Sequence, residues 1–124
     1  MKYFLFFAVL FVLASSFRTV SIDEVVKAIK AGNASEVSKY FDNTVEITLS
    51  GKSNSYSKNQ ATLILRDFFA SNAVKDFEIL HKSDNSNSQY CIGNLKTANG
   101  IFRTTIFMKQ KGYAEVIQSL GFEK

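Results

Sequence analysis

Apolar residues change their spacing along this chain of 124 residues, from mostly helical repeats in the first half to alternation in the second. A helix that packs on one side places an apolar residue every three or four positions, whereas a half-buried strand needs one at every second position. The change predicts a fold in which helices gather early and a run of antiparallel strands follows.

Three helices are predicted, each from a capping pair whose first side chain accepts a backbone N–H at the start of the helix. The pairs are Ser21 with Glu24, Asn33 with Glu36, and Ser57 with Gln60. Gly32 is expected to end the first helix because it tolerates a left-handed backbone, and Asn72 is expected to end the third. The third helix is expected to lie in the hollow of a curved sheet.

Strands are predicted from alternating apolar positions over residues 45–49, 77–81, 90–97, 101–109 and 114–122. Residues 51–55 are expected to form a loop, and the polar segment 83–88 a hairpin turn. Asn99-Gly100 is a strong tight-turn signal, and Gly112 begins the turn into the last strand. The predicted order is α-α-β-α-β-β-β-β, an α+β layout with helices packed on one face of a curved antiparallel sheet.

Residues 1–16 have the three parts of a secretory signal peptide: a basic start at Lys2, an apolar core over residues 3–13 and small residues up to Ser16. The apolar core is too short to span a bilayer, which takes about 20 residues. Cleavage is expected after Ser16, which leaves one domain over residues 17–124. The protein is therefore expected to be exported, periplasmic or extracellular, with no membrane anchor after cleavage.

Composition argues against several classes of protein. The net charge of +4 is too small for the dense basic surface on which nucleic-acid binding depends. The single cysteine, Cys91, allows no internal disulfide and lies too far from the cleavage site to be a lipid anchor. One histidine and one cysteine are too few for a structural zinc site. Asp76 and Glu78 share a strand face and have the oxygen ligands that calcium takes, but a solvated strand face is the preferred interpretation. No metal and no cofactor is expected.

Short segments spread over nearly the whole mature chain resemble a family of small secreted bacterial proteins of unknown function. The segments are Ala31-Gly32-Asn33-Ala34, Tyr40-Phe41, Val45-Glu46-Ile47-Thr48, Tyr56-Ser57-Lys58, Asp67-Phe68-Phe69, Phe77-Glu78-Ile79-Leu80-His81, Tyr90-Cys91-Ile92-Gly93 and Gly100-Ile101-Phe102-Arg103. That family lies within the nuclear-transport-factor-2-like superfamily, whose cone-shaped, cystatin-like α+β fold is shared with ketosteroid isomerases. The resemblance implies the cone and its central pocket but no known activity.

The chain has more aromatic residues than are needed to close so small a core. Some of them are expected to line an apolar pocket in the cone. The candidates for this ligand-binding pocket are Tyr40, Phe41, Phe68, Phe69, Phe77, His81 and Phe102. The alternative interpretation is that aromatic residues at helical or strand spacing belong to the core.

His81, the only histidine, is the first candidate for acid–base chemistry because its proton equilibrium lies near neutral pH. It follows Phe77 and Ile79 in the alternation of its strand, which predicts that it points into the cone. With Tyr56 or Tyr90 it would serve an isomerase-like or dehydratase-like enzyme. The alternative is a structural histidine with one satisfied hydrogen bond.

No inward carboxylate supports the catalytic alternative, because Asp42 is expected in a turn and Asp67 on a solvated helix surface. The sequence therefore favours a non-catalytic module that binds a small apolar ligand, such as a steroid-like or lipid-like molecule, or a protein partner. A homodimer through the open face of the sheet is a further hypothesis. The residues expected on that face are Ile101, Arg103, Thr105 and Phe107.

Overall fold

The computed structural model describes residues 21–124. Its helices are α1 (Ser21–Lys30), α2 (Ala34–Ser38) and α3 (Lys58–Ser71). Its strands are β1 (Phe41–Leu49), β2 (Lys52–Ser57), β3 (Val74–Asp84), β4 (Ser88–Thr97), β5 (Gly100–Lys111) and β6 (Ala114–Glu123). The predicted signal peptide lies outside the described residues.

The six strands form one sheet in the order β2-β1-β6-β5-β4-β3. Neighbouring strands are antiparallel except β1 and β6, which run parallel. The predicted α+β class is confirmed, and the predicted elements occur in the predicted order with one additional strand, β2, before α3. The sheet is mixed rather than wholly antiparallel. The alternation of apolar residues shows which face of a strand is buried and carries no information about strand direction. Most of the chain separates β1 from β6, so no turn signal reveals how they pair.

Strand β2 occupies the segment for which the sequence predicts a loop. It pairs with β1 as a hairpin whose two turn residues, Ser50 and Gly51, have φ values of 52° and 76°. Positive φ at both positions is typical of a type I′ turn, whose twist matches that of the strands it joins. Because β2 is an edge strand and almost wholly exposed, its sequence lacks the apolar alternation that marks the other strands.

Two of the predicted helix caps are present at hydrogen-bond distance. Asn33 Oδ1 accepts the backbone N–H of Glu36 at 3.1 Å. The Ser57 hydroxyl accepts the N–H of Gln60 at 3.3 Å, and Gln60 Oε1 accepts the N–H of Ser57 at the same distance. Gly32 follows α1 with a φ of 64°. These local signals were sufficient to predict where helices begin and end because they act within one turn.

The helices pack on one face of the sheet, which we call the helix-covered face; the opposite one is the open face. Alternate positions of each central strand are buried on the helix-covered face. The largest fully buried side chains are Phe122, Ile22, Ile29, Leu65, Leu95, Ile106, Met108, Ile117 and Leu120. Burial of each contributes about 1.5–3 kcal/mol, so this layer between helices and sheet is the main source of stability.

An irregularity in β3 changes the direction of His81. Ile79 pairs with Gly93 but His81 pairs with Ile92, so Leu80 is an extra residue on this strand. One extra residue moves the following side chains to the opposite face of the sheet. His81 therefore lies exposed on the open face, and the prediction that it points into the cone is wrong. A β-bulge leaves no mark in the apolar alternation on which that prediction depends.

Candidate functional site

A cleft of about 630 Å³ lies at one end of the sheet, where the ends of α3, β1 and β6 meet the start of β5. We call it the aromatic cleft. Its apolar lining consists of Leu49, Phe68, Phe102 and Phe122, and Asn72 and Lys124 are among the polar residues that line it.

Three phenylalanine rings form one packed group in the aromatic cleft. Phe68 stacks on Phe122, with ring centroids 4.3 Å apart and an interplanar angle of 24°. Phe68 also meets the edge of Phe102 at a centroid distance of 5.1 Å. Stacked and edge-to-face pairs each contribute about 0.5–1.5 kcal/mol beyond the burial of their area. Because the rings come from α3, β5 and β6, the group fixes the helix against the sheet and holds the cleft walls in position.

Two polar residues at the aromatic cleft are engaged within the protein. Asn72 Nδ2 donates to the carbonyl oxygen of Phe68 at 3.0 Å, and Asn72 Oδ1 accepts from Asn99 Nδ2 at 3.0 Å. Lys124 Nζ lies 5.5 Å from the centroid of the Phe102 ring, within the range of a cation–π contact. A molecule in the cleft would meet both aromatic rings and polar atoms, with the Lys124 ammonium group beside the Phe102 ring.

The structure divides the predicted pocket residues into several groups. Phe68 and Phe102 line the aromatic cleft. Phe41, Phe69 and Phe77 belong to the core, with 3%, 8% and 5% of their surface exposed. For these three residues the alternative interpretation, a role in core packing, describes their position. Of the remaining candidates, Tyr40 lies at the opposite end of β1 from the cleft, and His81 lies on the open face.

Two apolar residues of the aromatic cleft are absent from the sequence-based prediction. Leu49 and Phe122 are paired across the parallel strands β1 and β6. The alternation of Leu120 and Phe122 identifies the inward side of the last strand, but only the parallel pairing brings that side beside Leu49. The missing information was therefore the pairing of two strands that are distant in the sequence.

The candidate catalytic residues do not share one site. The rings of His81 and Tyr90 lie 5.3 Å apart, and their strand partners place both on the open face. Tyr56 pairs with Val45 and packs against the core on the helix-covered face. An acid–base pair requires both groups within hydrogen-bond reach of the same substrate atom or one water away. The sheet separates Tyr56 from the other two residues.

The remaining reactive side chains also have structural roles. The Asp42 carboxylate accepts a hydrogen bond from Lys111 Nζ at 2.8 Å and another from the N–H of Asn43, and these hold its pKa below the ordinary value of 3.8. Cys91 is fully buried, and burial raises the pKa of its thiol. A raised pKa disfavours the thiolate that nucleophilic catalysis requires.

The two carboxylates of β3 that were considered for calcium are each beside a lysine. Asp76 Oδ1 lies 3.4 Å from Lys30 Nζ, and Glu78 Oε2 lies 3.5 Å from Lys96 Nζ. Within residues 21–124, no group of three or more histidine, cysteine, aspartate or glutamate side chains is arranged to hold a metal ion. In the same part of the chain, none of the helices is long and apolar enough to cross a membrane.

Solved structures of other proteins share this fold. A nuclear-transport-factor-2-like protein of unknown function from Cytophaga hutchinsonii superposes with a TM-score of 0.61 at 9% identity, covering 86% of this chain and 91% of its own. A DUF4783 family protein from Bacteroides ovatus has a TM-score of 0.78 at 33% identity, and one from Bacteroides uniformis has 0.80 at 31%. Each of these two superpositions covers 82% of this chain. The first covers 92% of the Bacteroides ovatus protein, and the second covers 94% of the Bacteroides uniformis protein.

The six-stranded sheet with helices on one face, together with these superpositions, shows that the chain has the nuclear-transport-factor-2-like fold. The family model "Domain of unknown function (DUF4783)" matches residues 22–123. The chain belongs to the DUF4783 family, which confirms the resemblance to a family of unknown function, and the expected fold is present. No curated protein matches the sequence.

Proposed function

We propose that the protein is an exported, non-catalytic binding protein that takes a small, largely apolar ligand into the aromatic cleft. The observation that carries the proposal is the group of three packed phenylalanine rings in an open cleft of about 630 Å³. Sites for small molecules commonly measure about 300–1,000 Å³ and combine apolar walls with a few polar groups. The leader-like residues 1–16 support the exported part of the proposal.

The chemistry of the aromatic cleft favours a ligand with a flat apolar body. Phe102 and Phe68 are partly exposed, so their rings are available for stacking. The Asn72 amide is already bonded within the protein, and Lys124 supplies an ammonium group near the Phe102 ring. A ligand with many hydrogen-bonding groups would leave them unpaired against these rings, at a cost of about 1–3 kcal/mol each. A neutral or singly anionic aromatic or steroid-like molecule fits better.

A fluorescence titration with N-phenyl-1-naphthylamine, a neutral apolar dye, tests the proposal. The wild-type protein is expected to bind the dye saturably. Phe102→Leu removes one ring of the cleft and is expected to weaken binding about fivefold, consistent with about 1 kcal/mol for an aromatic contact. Phe107→Leu is the matched control because it makes the same change on the same strand but on the open face. Absence of saturable binding, or an equal effect of both variants, would contradict the proposal.

We further propose that the open face forms a homodimer. On β5, Ile101, Arg103, Thr105 and Phe107 alternate with buried residues and share this face. Ile101 is 54% exposed, and apolar surface of this kind, with a polar rim, is typical of protein interfaces. A partner that covers the face would remove that apolar surface from water.

Sedimentation velocity tests the dimer. Ile101→Lys is expected to give a monomer because it replaces an exposed apolar side chain of the contact with a charge. Leu63→Lys, which changes a residue of similar exposure (56%) on α3, is expected to leave the dimer intact. A wild-type protein that sediments as a monomer at high concentration would refute the dimer without affecting ligand binding in the aromatic cleft.

A further inference from the structure

A second cleft, of about 660 Å³, lies at the opposite end of the sheet from the aromatic cleft. We call it the polar cleft. The β3–β4 and β5–β6 hairpins and the junction of α2 with β1 surround it. Asp84, Gln89, Glu115, Tyr40 and Tyr113 are among the residues that line it. Its lining is therefore more polar than that of the aromatic cleft.

Gln89 is one of the residues that line the polar cleft, although it is only 6% exposed. Its Nε2 donates to Asp84 Oδ1 at 3.0 Å. Its Oε1 is buried and accepts no hydrogen bond from any described residue. The orientation of this amide is fixed, because the reverse orientation would place two acceptor oxygens against each other. A buried acceptor left unpaired costs about 1–3 kcal/mol, so Gln89 offers a site for a donor.

Negative charge predominates in the lining around Gln89. Asp84 and Glu115 contribute two carboxylates to the lining of the cleft. The only lysine of the lining, Lys39, is already paired through its Nζ with Glu36 Oε1 at 2.8 Å. An acceptor-rich site with two carboxylates favours a cation that carries several donors.

Two tyrosines extend this preference. Tyr40 is half-buried at the junction of α2 and β1, and Tyr113 is fully exposed at the tip of the β5–β6 hairpin. Aromatic faces attract ammonium groups, most strongly where the site is partly removed from water. An exposed tyrosine at a hairpin tip also adds contact area with few rotatable bonds to immobilise.

We propose that the polar cleft binds a primary ammonium group, supplied either by a free alkylamine or by the lysine side chain of a peptide. The ammonium donates to the Asp84 carboxylate and, once the Gln89 side chain turns its buried oxygen toward the cleft, to Gln89 Oε1, and its alkyl chain lies against the tyrosine rings. This site is separate from the aromatic cleft and does not depend on ligand binding there.

Nuclear magnetic resonance of the ¹⁵N-labelled protein tests the proposal through the side-chain amide signals of Gln89. The probes are n-butylammonium, Nα-acetyl-lysine N-methylamide and the neutral 1-butanol. Both ammonium probes are expected to shift the Gln89 signals saturably, with half-saturation below about 10 mM, and 1-butanol is not. If the two ammonium probes bind with equal affinity, the result identifies a free amine as the ligand source. If Nα-acetyl-lysine N-methylamide binds more tightly than n-butylammonium, the result identifies a peptide.

Asp84→Asn keeps the size of the side chain and the hydrogen bond from Gln89 but removes the charge. It is expected to weaken ammonium binding about tenfold, as for loss of a hydrogen bond to a charged group. Asp67→Asn, the same change at an exposed position of α3, is the matched control and is expected to leave binding unchanged. Equal binding of 1-butanol, no saturable shift with either ammonium probe, or equal effects of the two variants would overturn the proposal.

Discussion

Gly93 lies where the Phe77 ring crosses strand β4, and replacing it tests the packing of the sheet. A Cβ at residue 93 would overlap Phe77 Cζ, would lie 2.8 Å from Phe77 Cε1 and would lie 2.6 Å from the carbonyl oxygen of Glu78. The ring belongs to the core and the carbonyl to the backbone of β3, so neither moves freely. Overpacking of a core typically costs about 1–3 kcal/mol. Because backbone is involved, we expect about 3 kcal/mol for Gly93→Ala.

For a domain of about 100 residues this loss corresponds to a fall of about 12 °C in Tm. Urea denaturation followed by circular dichroism measures the change in the free energy of unfolding. Gly121→Ala on β6 is the matched control, because its Cβ would lie 3.4 Å from the Thr48 side chain, an ordinary contact. We expect that variant to remain within about 1 kcal/mol of the wild type.

Adding Phe77→Leu to the Gly93→Ala protein separates the two clashes. The smaller side chain relieves contact with the ring but not contact with the Glu78 carbonyl. The double variant is therefore expected to lose less stability than the sum of the single variants, since residues in contact are not additive. If Gly93→Ala is as stable as Gly121→Ala, the close packing of Phe77 on β4 is refuted.

Three other predictions concern the buried thiol, acid stability and the leader. Cys91 is expected to resist alkylation in the folded protein and to react in urea; rapid reaction of the folded protein would contradict its burial. Because the pKa of Asp42 is lowered on folding, its contribution to stability is present above about pH 4 and is lost as the pH falls through the folded pKa. Asp42→Asn is therefore expected to flatten the acid side of the stability curve measured by urea denaturation, and an unchanged slope would contradict this. N-terminal sequencing of the protein after export is expected to begin at Phe17, whereas a start at Met1 would refute cleavage.

Local sequence signals predicted most of the fold. The capping residues Asn33 and Ser57 and the turn at Gly100 act over a few positions, and the structure has a helix start or a tight turn at each. Strand β2 carries no such signal because an exposed edge strand needs no apolar face. The parallel pairing of β1 with β6 depends on contacts between distant segments.

The candidate site was predictable only in part for the same physical reason. Phe68 and Phe102 were identified because each lies at an apolar position of its own element. Phe77 follows an equally clear pattern, yet packing over Gly93 places it in the core. His81 was misplaced by one extra residue in β3. Spacing identifies the buried side of an element, whereas a pocket depends on which buried positions the assembled elements leave accessible.

Intermolecular nuclear Overhauser effects between N-phenyl-1-naphthylamine and the protein test the central claim most directly, because they locate the bound dye. The account predicts contacts from dye protons to the rings of Phe68 and Phe102 and to the methyl groups of Leu49. Contacts to Ile101 and Phe107 instead, both on the open face, would contradict ligand binding in the aromatic cleft.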